Sequence, residues 1–391
     1  MNDVVIVSGC RTPIGSFLGT LASVPAPRLG SIVIEEAIRR ANIKKTDVQE
    51  VIMGNVLAAG VGQAPARQAA LGAGLPESVE CMTVNKVCGS GLKAVMLAAQ
   101  AIQTGDADTI VAGGMESMSN VPYYAERART GLRMGHSQLV DGMIKDGLWD
   151  VYNDFHMGNA AELCAKECSI PRDAQDEFAV MSYKRAQSAT NEGRFKDEIV
   201  GVTIQGKQGE EIVEKDEEPF KTNFEKIPKL RPAFQKDGTV TAANASKIND
   251  GAAALVVMSG EQAKKRGLKP LARIVAQAST AKKPEWFTTA PADVITKVLE
   301  KANLKPSDID LYEINEAFAV VTLVVSKMIG LSADIVDING GAVALGHPIG
   351  ASGARILVTL LNALKQRNKK RGVAAICIGG GEASAVVVEL F

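Results

Sequence analysis

The chain has 391 residues, 46% of them apolar and 23% charged, with Lys plus Arg and Asp plus Glu equal at 44 each. That length predicts two or three domains, and the apolar content predicts a large buried core and excludes a disordered chain. Balanced charge lacks the clustered positive excess a nucleic-acid surface needs, so no nucleic-acid partner is expected.

Short apolar runs alternate with longer helical patterns. Residues 4–7 read as a buried strand, 29–41 as a helix, 51–53 as a second strand, 91–104 as an alanine-rich helix and 109–113 as a strand ending at glycines. This alternation predicts an α/β layered fold with buried strands. Residues 119–249 have a different texture, rich in charges and amides. Within them, 160–192 reads as a pair of helices, and the acidic run at 214–218 reads as solvated surface. Residues 249–259 return to a buried strand that rejoins the first part.

Beyond that, 292–302 is helical, 309–314 strand-like and 355–366 helical, and strands at 373–378 and 385–390 flank the glycines 379–381. The apolar run at 317–325 is far short of the roughly 20 residues a membrane span needs. The N-terminus has neither a signal-peptide nor a transit-peptide pattern. Six unevenly spaced cysteines do not read as a disulfide framework. A soluble protein of a reducing, cytoplasmic compartment is expected, with no membrane partner.

One internal echo organises the chain. SGLKAVMLAAQ followed by DTIVAGGMES matches SGARILVTLLN followed by AAICIGGGEAS in kind: Ser-Gly, helix, strand, glycine cluster. This predicts a duplicated α/β unit. The expected division is a first half at 1–118 plus 250–268, an inserted segment at 119–249 and a second half at 269–391.

Chemistry concentrates at glycine-dense turns. Cys88, in VNKVCGSGLKAV, stands at the apparent start of a helix, where the dipole and free N–H groups favour a thiolate. The alternative is a small buried hydrophobe. His347, in NGGAVALGHPIGASGAR, is one of only three histidines and suits a base or an oxyanion donor. Cys377, in CIGGGEAS, reads equally as packing or as a reactive group, and Asn315, in YEINEAF, as an amide at a strand end. Together they predict acyl transfer through a cysteine thioester. Cys164 and Cys168, four apart on a helix, read as core packing. The G-x-G-x-x-A run at 89–94 lacks the downstream acid of a dinucleotide site.

These four blocks, in this order, resemble the thiolase family in its short-chain acetyl-CoA acetyltransferase group, and the resemblance runs end to end. It implies a five-layered α-β-α-β-α fold of two similar halves with an inserted loop domain. It also implies Cys88 as the acylated nucleophile, His347 as its base and Cys377 as the group moving the α-proton of the second acetyl unit. Asn315, through a water, and His347 would form one oxyanion hole, and the N–H groups of Cys88 and Gly379 the other. The substrates implied are acetyl-CoA, acetoacetyl-CoA and CoA, with no resident cofactor required.

By the same resemblance, Leu148, His156, Met157, Ser246, Phe287 and Phe318 would contact the substrate. Residues 121–145 would form a tetramerisation loop, making a homotetramer. Tyr183, Ala242, Ala243, Ala245 and Val343 match positions that coordinate potassium in a potassium-activated branch. Near the CoA phosphate, where the family often has arginine, this chain has Lys221. A decarboxylating ketoacyl synthase, which lacks a second catalytic cysteine, a non-catalytic acyl-CoA carrier and a cysteine hydrolase are the competing readings.

Overall fold

The computed structural model describes residues 3–206 and 209–391. Strand β1 (Val4–Arg11) alternates its side chains between two cores. Val5 and Val7 face one and Val4 and Ile6 the other, as the period of two requires. The other main strands are β2 (Glu50–Gly54), β3 (Glu80–Val84), β4 (Thr109–Ser117), β5 (Asn249–Ser259), β6 (Ala272–Ala281), β7 (Leu311–Ile314), β8 (Arg371–Ile378) and β9 (Glu382–Leu390). They form one sheet path in the order β7-β8-β9-β6-β1-β5-β4-β2-β3.

That order repeats itself. From β1 outward, β1–β5 and β5–β4 are antiparallel and β4–β2 parallel; from β6 outward, β6–β9 and β9–β8 are antiparallel and β8–β7 parallel. The two units join where β1 meets β6, at Val5 opposite Arg273 and Ile6 opposite Ala272. β5 thus lies between β1 and β4, back beside the first unit after the long excursion.

Helices fill three layers around these strands. α1 (Ala26–Ala41) and α2 (Pro65–Gly72) share an outer core with Val51, Val111 and Val256. α3 (Ser90–Thr104) and α8 (Ile349–Gln366) pack on each other between the units, sharing a core with Ile6, Leu255, Ile376 and Val388. α6 (Ala290–Ala302) and α7 (Ala319–Ile329) cover the opposite face, against Val373, Ala375 and Val387. The result is the five-layered α-β-α-β-α arrangement. Its middle layer is covered on both sides, which is why α8 is buried along nearly its whole length, polar Ser352, Arg355 and Thr359 included.

Within the excursion lie α4 (Met157–Glu167) and α5 (Arg172–Asn191), the helix pair expected there. The acidic run corrects the sequence reading. Asp216 is fully buried, its carboxylate chelating the Arg11 guanidinium at 2.7 and 2.9 Å and taking the Ile14 N–H at 2.8 Å. Arg11 also reaches Glu198 at 2.6 Å and lies over the Phe195 ring. A charge run hides such a partner because the cation lies some 200 positions away in sequence. Cys164 and Cys168 pack with their sulfurs 4.0 Å apart. Among the described residues no helix is long and apolar enough to cross a membrane.

Candidate active site

A cavity of about 240 Å³ opens where the middle layer meets the excursion. Cys88, His347 and Gly379 line it, together with Leu148, His156, Met157, Ser246, Phe287 and Phe318. Cys377 and Asn315 are buried rather than lining it. The two sulfurs are nonetheless close enough for the charge of Cys88 to raise the Cys377 thiol.

Cys88 sits in a tight turn just before α3. Val87 takes φ 44°, a left-handed conformation costly for a β-branched residue. Local bonds offset that cost: the Val87 N–H donates to Asn85 Oδ1, and Ser90 Oγ accepts from Lys86 N and donates to the Val87 carbonyl. Expected to be a thiolate, Cys88 instead holds its proton in the resting state. Burial pushes its thiol up to about 11, outweighing the opposing pull of the Gly379 and Cys88 N–H groups, and the charge of Glu116 adds to the rise. Those same two N–H groups are the donors an oxyanion at this position would use.

His347 is positioned by its backbone. Its N–H donates to Asn249 Oδ1 at 2.9 Å, and Asn249 Nδ2 donates to the Gly15 carbonyl. The preceding Gly346 takes φ 114°, and a Cβ there would lie 2.4 Å from the Asn249 side chain. Only glycine fits. The residue is buried apart from the edge that lines the cavity, and burial, helped by the nearby positive charge of Arg355, lowers its pKa to about 3. Nδ1 meets Ser352 Oγ at 2.6 Å, while the buried Nε2 has no hydrogen-bond partner. Asn315 likewise has no partner for either its Oδ1 or its Nδ2, although the residue is buried. A buried amide in that condition is a seat for a water or a ligand oxygen.

Cys377 ends β8. Its pKa is pushed well above the ordinary range by burial and by the charge of Cys88, against the N–H groups of Cys377 and Ala317. Part of the cavity wall is aromatic: Phe234 stacks on His156 at 4.8 Å and meets Phe318 edge-on at 6.2 Å, and Phe287 meets Phe318 at 6.4 Å. His156 caps α4, its Nδ1 accepting the Gly158 N–H at 3.0 Å.

The residues matched to potassium positions are divided. Tyr183, Ala243, Ala245 and Val343 are buried and Ala242 is exposed. Lys247 donates to the carbonyl oxygens of Ala245 and Val343. Lys221 is tied to Glu217 and Ser16.

Several residues at the site lay outside the sequence reading, Lys247 of the cavity wall among them. Glu116 accepts the N–H groups of Val56, Leu57 and Gly350 and the Asn55 amide, tying the loop after β2 to the start of α8. Ser352, Asn249 and Phe234 were also silent. Only Ser352, five residues after His347, carried any local signal.

Residues 4–261 match the N-terminal domain of thiolase and residues 268–390 the C-terminal domain. Acetyl-CoA acetyltransferase 2 of Arabidopsis thaliana is 58% identical over all of this chain and 97% of its own length. The mitochondrial acetyl-CoA acetyltransferase of Bos taurus is 55% identical over all of this chain and 92% of its own. A cytosolic acetyl-CoA acetyltransferase of Gibberella zeae is 53% identical over all of this chain and 98% of its own. With both halves matched and such identity over its whole length, the chain belongs to the thiolase family.

Proposed function

We propose that the protein is an acetyl-CoA C-acetyltransferase, joining two molecules of acetyl-CoA into acetoacetyl-CoA and CoA, reversibly, through an acetyl-Cys88 intermediate. The observation that carries this reading is the neutral pair facing one cavity: a Cys88 thiol under the Gly379 N–H, and a His347 imidazole whose Nε2 is unclaimed.

In the first half-reaction His347 Nε2 takes the thiol proton as Cys88 attacks the thioester carbonyl. The N–H groups of Cys88 and Gly379 hold the oxyanion, and the proton leaves on the departing CoA sulfur. In the second, Cys377 passes its own proton to His347 Nε2, free again after CoA has left, and as a thiolate removes the α-proton of a second acetyl-CoA. A thiolate whose pKa is pushed this high is a strong base, suited to so weak a carbon acid. The Nε2–H of the protonated His347 and a water on Asn315 would hold the enolate oxygen while its carbon attacks acetyl-Cys88. Net, the α-proton finishes on the Cys377 sulfur, and the proton held by His347 passes to the Cys88 sulfur as it is released, which restores both thiols.

Leu148, His156, Met157 and Ser246 serve as the walls for the CoA arm, and Phe287 and Phe318 limit the acyl chain. No resident cofactor enters any step. A cytoplasmic homotetramer goes with this reading. Tyr123, Leu132, Met134 and Leu139, all exposed apolar residues of the segment 121–145, support the assembly, and the cytosolic relative supports the compartment.

The test is CoA-dependent cleavage of acetoacetyl-CoA by the wild type, Cys88→Ala and Cys377→Ala. Activity in the wild type, lost in both variants, supports the reading; an inactive wild type sinks it.

A further inference from the structure

We propose that the ammonium of Lys247 stands where the resemblance assigns potassium, so that this protein carries a fixed internal cation and needs no monovalent metal ion. The inference rests on the reading above that Ser246 and His347 serve one substrate cavity.

Lys247 Nζ donates to the Ala245 carbonyl at 2.9 Å and to the Val343 carbonyl at 3.4 Å, and it lies 5.5 Å from the centre of the Tyr183 ring. Three of the five residues matched to a potassium cage therefore already surround a positive charge. Among the described residues no carboxylate stands within ion-pair distance of this ammonium. A lysine in water or on a carboxylate would be an ordinary surface cation. One directed onto two backbone carbonyls and an aromatic face is solvated as a bound alkali ion would be, by neutral oxygens and a ring. A potassium ion using the Ala245 and Val343 oxygens would have to share the position of Nζ, and two like charges at that separation repel strongly.

The placement also says what the charge does. Ala245 precedes Ser246, whose N–H donates to the Ala317 carbonyl beside Phe318. Val343 lies in the short helix Ala342–Leu345, four residues before His347, and its N–H is held by the buried Glu316 carboxylate. Lys247 thus clamps the cavity wall at 245–246 to the segment that delivers the imidazole. It is a positioning residue, and the Glu316 carboxyl holds the same Val343 from its N–H side.

The experiment compares wild type, Lys247→Ala and Lys247→Met in acetoacetyl-CoA thiolysis and in thermal unfolding. Each is measured in KCl, NH4Cl and tetramethylammonium chloride at equal ionic strength. The wild type should keep its rate to within about twofold in all three salts and show no potassium-specific rise in Tm. Lys247→Ala should be roughly tenfold slower in tetramethylammonium, recover saturably with potassium or ammonium, and gain Tm from potassium. Lys247→Met, which keeps the side-chain bulk without the charge, should lose rate without recovering. A wild type activated severalfold and stabilised by potassium would overturn the proposal. So would a Lys247→Ala variant that neither slows nor responds to potassium. The thermal measurements decide the cation question even if the substrate reading fails.

Discussion

His347 Nδ1 lies 2.6 Å from Ser352 Oγ, and that hydroxyl donates its single proton to the Pro348 carbonyl at 2.9 Å. With its proton committed, Ser352 can only accept from the imidazole. Nδ1 therefore carries the ring hydrogen, and Nε2, the nitrogen without a partner, presents its lone pair toward the cavity. The base is set before substrate arrives.

Replacing Ser352 by Ala should release that tautomer. We expect kcat for thiolysis to fall on the order of tenfold, with KM little changed, because the loss falls on proton transfer and not on binding. Thermal unfolding separates this from simple damage. Ser352→Thr, which keeps the hydroxyl, should recover much of the rate; an equal loss in both variants would refute the tautomer argument.

Acid should destabilise the protein through His347. Its pKa in the folded state, about 3, lies below the ordinary histidine value because burial and Arg355 disfavour the charged ring. Between about pH 6.5 and 3 the unfolded chain therefore binds a proton the native state refuses, and stability drops as pH falls through that window. Urea unfolding measured from pH 7 to pH 4 should lose about 1.4 kcal/mol per pH unit less in His347→Gln than in wild type. Cys88 makes the companion case: thiolate absorbance lost on Cys88→Ala should be absent at neutral pH and emerge only as pH approaches about 11.

Glu116 takes four donors from two segments, residues 55–57 and Gly350, at 2.6, 2.9, 3.0 and 3.1 Å. Glu116→Gln sets an NH2 group against backbone N–H groups that cannot accept. A loss of about 2–3 kcal/mol is expected, lowering Tm by roughly 3–4 °C in a chain of this size. Calorimetry checks it, and an unchanged Tm would show that the two segments do not depend on the carboxylate.

The acidic run should divide sharply. Asp216→Ala strips a buried guanidinium of its chelating partner and should cost about 3–5 kcal/mol. Glu214→Ala, at an exposed position two residues earlier, should stay within about 0.5 kcal/mol. Urea midpoints of the two variants decide between a buried Asp216 and a wholly solvated run.

Much of the layered fold was legible because periodicity is a local property. The runs at 4–7, 91–104 and 373–378 read as buried strand, helix and strand, and each lies inside the corresponding element. β3 has no fully buried residue and so no apolar run to mark it, and α2, with eight residues, was too short to declare itself. α7 was hidden for the opposite reason. Its run is apolar on every side, so neither a period of two nor one of 3.6 stands out in it.

By itself the sequence determined the family, the duplicated architecture and the reactive groups at the glycine turns, since motif order and side-chain chemistry survive without coordinates. Only the tertiary structure decided their protonation and their partners. Desolvation, which depends on everything packed around a group, turned the expected Cys88 thiolate into a thiol. The same packing kept His347 neutral and sent Asp216 from an acidic surface run to a guanidinium some 200 residues away. It also set the ammonium of Lys247 on the Ala245 and Val343 carbonyls, a meeting that rests on the approach of two chain segments nearly a hundred residues apart and leaves no trace in either alone.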